Sequence, residues 1–342
     1  MTAGGDDPVE ASTSIAVEIG LNAAVIAMEG PSPLILTVES RDENEDRRPP
    51  ALPLGPFDPL KHRTFEMGLR ASVSRQTGLD LGYVEQLYTF GDRGRHKRSG
   101  DRGPHTVSVG YLALTRLPAS EESSSSVPSI QDGGVGFAPL YRFLPWEDWR
   151  EGRPALLDAV ILPALSAWAE APQPQARAAR MPSKRSRLRL AFGLDDFPFD
   201  EERVLDRYEL LYEAGLVQEA VADGRVATTG LETPLGRPMR FDHRRILATA
   251  VSRLRGKIKY RPVIFEVMPE EFTLTELQRT VEAIAGRHLH KQNFRRLVEG
   301  AELVEPTGQT SGKTGGRPAA LYRFRRKIVE ERPAPGLRLG GR

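Results

Sequence analysis

The stretch Phe272-Thr273-Leu274-Thr275-Glu276-Leu277-Gln278 constrains this 342-residue chain more than any other. Threonine followed three residues on by glutamate is a capping-box pattern, each side chain taking the other's backbone N–H at a helix start. Leu274, Leu277, Val281 and Ile284 then recur at helical spacing as a narrow apolar stripe. Gly286 permits a turn. A second helix is expected over His290 to Gly300, with Phe294, Leu297, Val298 and Ala301 facing inward. Leu303-Val304-Glu305 and Ala320 to Arg325 read as two strands, the second alternating Tyr322 and Phe324 with Arg323 and Arg325. The connection T-G-Q-T-S-G-K-T-G-G-R-P is a glycine-rich hairpin tip.

Helix, turn, helix and basic β-hairpin together make a winged helix-turn-helix. Such a module suits double-stranded DNA. Its second helix enters the major groove, where Lys291, Gln292, Asn293, Arg295 and Arg296 can meet base edges and phosphates. Thr273 and Thr275 at the first helix start, and Lys313 and Arg317 on the tip, complete the candidate DNA contacts. Charge agrees. From Arg287 to Lys327, ten Lys/Arg face three glutamates, leaving +7 in a chain of net charge +2, so the remainder sums to −5. A basic end on a mildly acidic body implies an anionic partner there. Winged helices also serve as protein-interaction modules, so an adaptor without DNA is the alternative for this half. His288 and His290, with no acid near in sequence, are expected as turn residues or phosphate contacts, not metal ligands.

No cysteine is present, which excludes disulfides, cysteine-ligated zinc and thiol catalysis. The acidic, polar start M-T-A-G-G-D-D-P is not a signal peptide, and no apolar run approaches the ~20 residues of a membrane span. A soluble, cytoplasmic protein is expected.

Upstream, residues 1–13 are expected to be disordered. Ser14 to Met28 and Leu34 to Val38 read as strands joined at Gly30-Pro31-Ser32-Pro33. Leu60 to Thr77 has helical spacing and Gly78 as its stop. Tyr83 to Phe90 and Val107 to Thr115 read as strands around the basic loop F-G-D-R-G-R-H-K-R-S-G-D-R-G. Residues 118–134 are a low-complexity insertion, expected to be mobile. Ala155 to Ala169 is a helix, and Pro172 to Ser186 is a linker or exposed crossing. A helix is expected from Asp200, with Glu201 and Glu202 in its first turn and Val204, Leu205, Tyr208, Leu211 and Tyr212 buried. Asp242 caps a further helix, and Val263 to Val267 reads as a short strand.

The order strand, strand, loop, helix, strand, basic loop, strand resembles the Nudix fold over roughly residues 14 to 170. L-P-L-G-P-F-D-P (52–59) is similar to that family's glycine loop and Q-T-G-L (76–79) to its motif end. Nudix chemistry needs carboxylates on one helical face to hold Mg²⁺. Counted back from Gly78, the paired glutamates fall at Arg75 and Gln76, and the preceding Arg-Glu at Ala71 and Ser72. Glu66 is the helix's one carboxylate. The expectation is no catalytic residue, no metal site and no enzyme. A fold can keep binding after losing chemistry, and Phe90, Arg93, Arg95 and Arg102 are the candidate ligand contacts, the arginines because their forks suit pyrophosphate oxygens.

F-T-L-T-E-L-Q (272–278), N-F-R-R (293–296), G-G-R-P-A (315–319) and L-Y-R-F (321–324) resemble the C-terminal domain of the Nudix-related transcriptional regulators of NAD metabolism. D-H-R-R-I-L (242–247) is similar to the segment joining their two domains. The chain departs from that pattern in the extended region 172–240 and the lost Nudix box. The resemblance implies an α+β protein: an N-terminal Nudix-like α/β/α sandwich (14–170), a segment of unassigned role (171–240), a winged helix-turn-helix domain (241–328) and a tail (329–342). It implies a homodimeric repressor on a palindromic operator near NAD biosynthesis or salvage genes. The effector would be a nucleotide such as ADP-ribose, NAD or ATP, with no cofactor. The enzyme alternative is an ADP-ribose pyrophosphatase with relocated metal ligands.

Overall fold

The computed structural model describes residues 17–39, 48–92, 105–117, 134–172, 182–312, 318–332 and 336–337. The expected disordered start, most of the insertion 118–134 and most of the tail lie outside them.

The N-terminal half is built on β1 (Val17–Glu29), whose near-continuous apolar run is buried from Gly20 to Met28. Such a run requires cover on both faces. β2 (Ser32–Val38) and the short β3 (Leu54–Pro56) pair antiparallel with β1. α1 (Phe65–Thr77) follows, capped by the Thr64 hydroxyl and ended by Gly78 at φ 71°. β4 (Val84–Phe90), β5 (His105–Leu114) and β6 (Val135–Pro139) complete a mixed sheet of order β4-β5-β1-β2-β6, in which β5 runs parallel to β1. Leu21, Ala23 and Val25 face Leu69 and Val73 of α1. The alternate residues Ala24 and Ile26 join a second core.

That second core contains the rest of the molecule. A π-helical turn (Leu157–Ile161) leads into α2 (Leu162–Glu170). Ser183 caps α3 (Lys184–Phe192), so the expected linker ends in a helix. α4 (Val204–Glu213) starts later than expected. Asp200 Oδ1 accepts the Glu202 N–H at 2.9 Å, and this local turn replaces the first helical turn. Glu201 is therefore not a dipole acid. It is buried, and pairs with Lys259 at 3.1 Å and Arg287 at 3.2 Å. α5 (Gln218–Ala222) is short. α6 (His243–Ile258) packs on the open face of the sheet through Ile246, Leu247 and Ala250. Asp242 precedes it without a side-chain cap bond. The strand expected at 263–267 is a 3-10 turn (Val263–Glu266). Val263, Ile264 and Phe265 are all buried, and consecutive burial suits a turn where a half-covered strand would alternate.

The C-terminal unit is β7 (Glu271–Thr273), α7 (Leu274–Ala285), α8 (Lys291–Ala301), β8 (Val304–Ser311), β9 (Ala319–Phe324) and α9 (Ile328–Glu331). Its sheet order is β7-β9-β8. Phe265 stacks on Phe324 with ring centroids 4.4 Å apart, tying the hairpin to the 3-10 turn.

Candidate nucleic-acid interface

The capping box is formed. The Glu276 N–H reaches Thr273 Oγ1 at 3.1 Å, and the Thr273 N–H reaches Glu276 Oε2 at 2.7 Å. Thr273 is 4% exposed with its hydroxyl occupied, so it sets the helix start and does not present a side chain to DNA. Thr275 is exposed. Leu277, Val281 and Ile284 are buried, as the stripe requires. The turn to α8 is locked by buried Glu282. Its Oε1 accepts the Leu289 N–H at 2.8 Å and Gln278 Nε2 at 2.9 Å, while Oε2 meets His288 Nδ1 at 3.2 Å. His288 thus has an acid beside it after all, supplied by the preceding helix, and is a turn residue.

α8 buries Phe294 and Val298 and turns its other face outward. Lys291, Gln292, Asn293, Arg295 and Arg296 are all exposed. None of these five side chains makes a hydrogen bond or ion pair with another described residue. A row of cationic and amide donors with no internal partner can bind phosphate oxygens and the acceptor edges of bases. The helix begins at His290 without a side-chain cap, which leaves its first N–H groups open to an anion. In the hairpin, Arg323 pairs across β8 with Glu305 at 2.7 Å. Lys313 and Arg317 lie outside the described residues.

Residues 264–324 match the family model of the NrtR DNA-binding winged helix domain. The C-terminal domain is thus similar to the NrtR winged helix over those residues. A curated relative, the "ADPR responsive transcriptional repressor NtrR" of Acinetobacter baylyi, is 45% identical over 94 residues. Those residues are 28% of this chain and 37% of the relative, so the chain matches well under half of that protein's length. Two solved structures share the fold more broadly. Shewanella oneidensis NrtR complexed with a 27mer DNA covers 91% of this chain and 95% of its own, at 20% identity and a TM-score of 0.54. A second structure of Shewanella oneidensis NrtR covers the same shares at 20% identity and a TM-score of 0.52. The architecture is thus a Nudix-like domain followed by a winged helix similar to that of NrtR.

What joins the winged helix to the Nudix-like domain was not legible as a site. Glu147, in the turn Pro145–Glu147 after β6, is fully buried. Arg207 of α4 binds it in a fork, Nε to Oε1 at 2.6 Å and Nη2 to Oε2 at 2.8 Å. Arg255 of α6 adds Nη1 to Oε2 at 2.7 Å. Burial by itself would raise the Glu147 carboxyl, but Arg207 and then Arg255 outweigh it and hold the group below its ordinary value. Arg255 continues to the Ile284 carbonyl at 2.9 Å, and the Tyr141 hydroxyl donates to the Ala283 carbonyl at 2.6 Å, so the C-terminus of α7 is fastened to this cluster. Gly286 is left-handed at φ 72°, and a Cβ there would lie 2.3 Å from the Glu147 carbonyl oxygen. A signal did exist. Arg207 lies three residues from Val204 and four from Leu211, and Arg255 four from Val251 and three from Ile258, so both occupy apolar stripes.

In the Nudix-like domain, the positions that would carry metal ligands hold the helix to its surroundings. Gln76 donates to the Leu54 carbonyl and, at 3.1 Å, to Ser72 Oγ. Ser72 backs directly on Gly55, where a Cβ would meet its Oγ at 2.1 Å. Glu66 pairs with Arg70 at 2.9 Å, and Arg70 also binds the Leu81 and Gly82 carbonyls. Arg75 is exposed. Among the described residues no cluster of three metal-ligating side chains occurs. Phe90 is corrected from ligand contact to core residue. It is 4% exposed, packed under the Arg245 guanidinium and against Gly110, where a Cβ would lie 2.9 Å from its ring. Arg93, Arg95 and Arg102 fall outside the described residues.

Proposed function

We propose that this chain is a DNA-binding transcriptional repressor of NAD biosynthesis or salvage genes, controlled by an NAD-related nucleotide such as ADP-ribose. The carrying observation is the outer face of α8: five exposed side chains without internal partners, on a domain of the NrtR winged-helix family. Support for the effector comes from the Acinetobacter relative, whose name makes it ADPR-responsive. Residues 14–170 are the sensing unit and 241–328 the reading unit. The protein acts as a cytoplasmic homodimer, and its two-fold symmetry matches a palindromic operator. The sensing unit does no hydrolysis, because Arg75 and Gln76 stand where metal-binding glutamates would be needed. Arg93, Arg95 and Arg102 hold the pyrophosphate of the effector. The effector acts by binding DNA-competent and incompetent dimers with different affinity, since equal affinity shifts nothing.

The test is fluorescence anisotropy on duplexes from upstream of its own gene and of NAD genes, beside a scrambled duplex at physiological salt, with and without ADP-ribose. Affinity of about 10 nM or tighter for one duplex, well above the scrambled control and altered by ADP-ribose, is expected. Equal, weak binding to every duplex would overturn the repressor and leave the adaptor. Mg²⁺-dependent release of AMP from ADP-ribose would overturn the non-catalytic sensing unit. A charge reversal at Arg93 or Arg95 that leaves the ADP-ribose response intact would sink the pyrophosphate site.

A further inference from the structure

A cavity of about 490 Å³ opens where the edge strand β4 meets α4 and α6. Its lining includes two exposed aromatic rings, Tyr88 (57% exposed) and Tyr260 (43%). Leu205, Thr249, Arg253 and Gly256 line the remainder together with charged residues of α4 and the turn before it. Those charges are mostly satisfied. Arg203 is held by Asp206 at 3.0 Å and Asp200 at 3.5 Å. Glu202 is held by Lys259 at 2.5 Å, and it fills the space over Gly256, where a Cβ would lie 2.8 Å from its Oε2. Arg253 differs. It is half-buried, and it makes no ion pair, hydrogen bond or ring contact with any described residue. Asp200, Glu202 and Asp206 outnumber Arg203 and Arg253 in the lining, but all three acids are already paired, so Arg253 is a lining arginine with no ion-pair partner among the described residues.

A half-buried arginine in a cavity wall without an acceptor can take a carboxylate or phosphate with two parallel hydrogen bonds. Exposed tyrosine faces gain by covering a flat ring. The volume is that of a small-molecule site. We propose that this cavity binds a small planar anion, its ring packed on the Tyr88 and Tyr260 side chains and its phosphate or carboxylate on Arg253. The cavity touches the N-terminal sheet, α4 and α6 together. Arg255, two residues beyond Arg253, turns to the other side of α6 and fastens α7. Occupancy thus bears on the same helix that holds the winged helix, a consequence that rests on the repressor reading, whereas the binding itself does not.

Isothermal titration calorimetry of the full chain tests it without DNA, so failure here and failure of DNA binding are separate results. The probes are AMP, adenosine, inorganic phosphate and benzoate, the last distinguishing a carboxylate from a phosphate anion. AMP or benzoate is expected to bind with a Kd below about 1 mM. If AMP is the binder, adenosine and phosphate alone should each be weaker by about tenfold or more, because each lacks half of the recognition. Arg253→Gln, which removes no ion pair or side-chain hydrogen bond with a described residue and should leave thermal melting within about 1 kcal/mol of the parent, should weaken the bound probe by about tenfold or more. Tyr260→Ala should weaken it by about fivefold. Absence of binding by both AMP and benzoate overturns the site. So does binding that Arg253→Gln leaves unchanged.

Discussion

The arginines of the junction and those of α8 are used in opposite ways. Arg207 and Arg255 are almost fully buried, and their guanidiniums reach carboxylate and carbonyl oxygens of the chain itself. Arg244 is the same, paired with Glu219 at 2.8 Å and donating to the Leu235 carbonyl. Arg295 and Arg296 lie in the open and touch no described acceptor. A guanidinium taken out of water must find acceptors within the protein, so the buried arginines hold the architecture. An exposed one keeps its water until a better anion displaces it, so the α8 arginines are available for a partner. Charge counts alone do not distinguish the two uses. Burial and hydrogen-bond partners do.

The largest effect should come from removing the shared acceptor. Glu147→Ala leaves two buried guanidiniums without their carboxylate and should cost about 3–5 kcal/mol in urea unfolding. A loss below about 1 kcal/mol would mean the junction is not the fixed structure described. On the other side of the comparison, Arg295→Glu with Arg296→Glu should weaken the proposed DNA binding by about a hundredfold and flatten its salt dependence, since counterion release falls by about one ion per lost phosphate contact. The same double variant should melt within about 1 kcal/mol of the parent, because surface changes cost little. Melting that fell instead would place these arginines with the structural set.

Acid should separate the two sets further. Glu147 titrates below its ordinary value of 4.5 in the folded chain, so its contribution is complete above that value and is lost as pH falls through the lower, folded one. Urea midpoints should therefore drop below about pH 4.5, and Glu147→Gln should flatten that part of the profile. An identical acid limb in parent and Glu147→Gln would show that other carboxylates dominate. The smallest effect belongs to α1. Gln76→Glu replaces an amide donor at the Leu54 carbonyl by a carboxylate, and should cost about 1–2 kcal/mol without creating a metal site. Mg²⁺ stabilising that variant would contradict the packing role of Gln76.

Much of the winged helix was readable because its signals are local. The Thr273–Glu276 box, the Leu277/Val281 stripe and the alternation of Tyr322 and Phe324 each depend on residues only a few positions apart. The same locality misled at Thr273, since a cap hydroxyl in a start motif looks available until its helix is packed. It misled at Phe90 as well, because an aromatic beside a basic loop reads as a ligand contact, whereas here α6, more than 150 residues away, covers it. The strand expected at Val263–Val267 failed for a related reason. Three consecutive apolar residues fit a strand or a buried turn, and the surrounding core chose the turn. Residues 172–240 carried helical periodicity without purpose, because the purpose of α4 is a carboxylate 60 positions away, Glu147.

The sequence by itself determined the order of helices and strands in the C-terminal domain, the outward set on α8, and the absence of paired glutamates at 75 and 76. These follow from short-range spacing and side-chain chemistry, which do not need a partner segment to be interpreted. Only the tertiary structure decided which arginines are held and which are available, where Thr273 and Phe90 point, and that the middle segment braces the joint between the domains. Those outcomes depend on desolvation. A charge or hydroxyl acquires its role from the elements that exclude water around it, and here those elements come from distant parts of the chain.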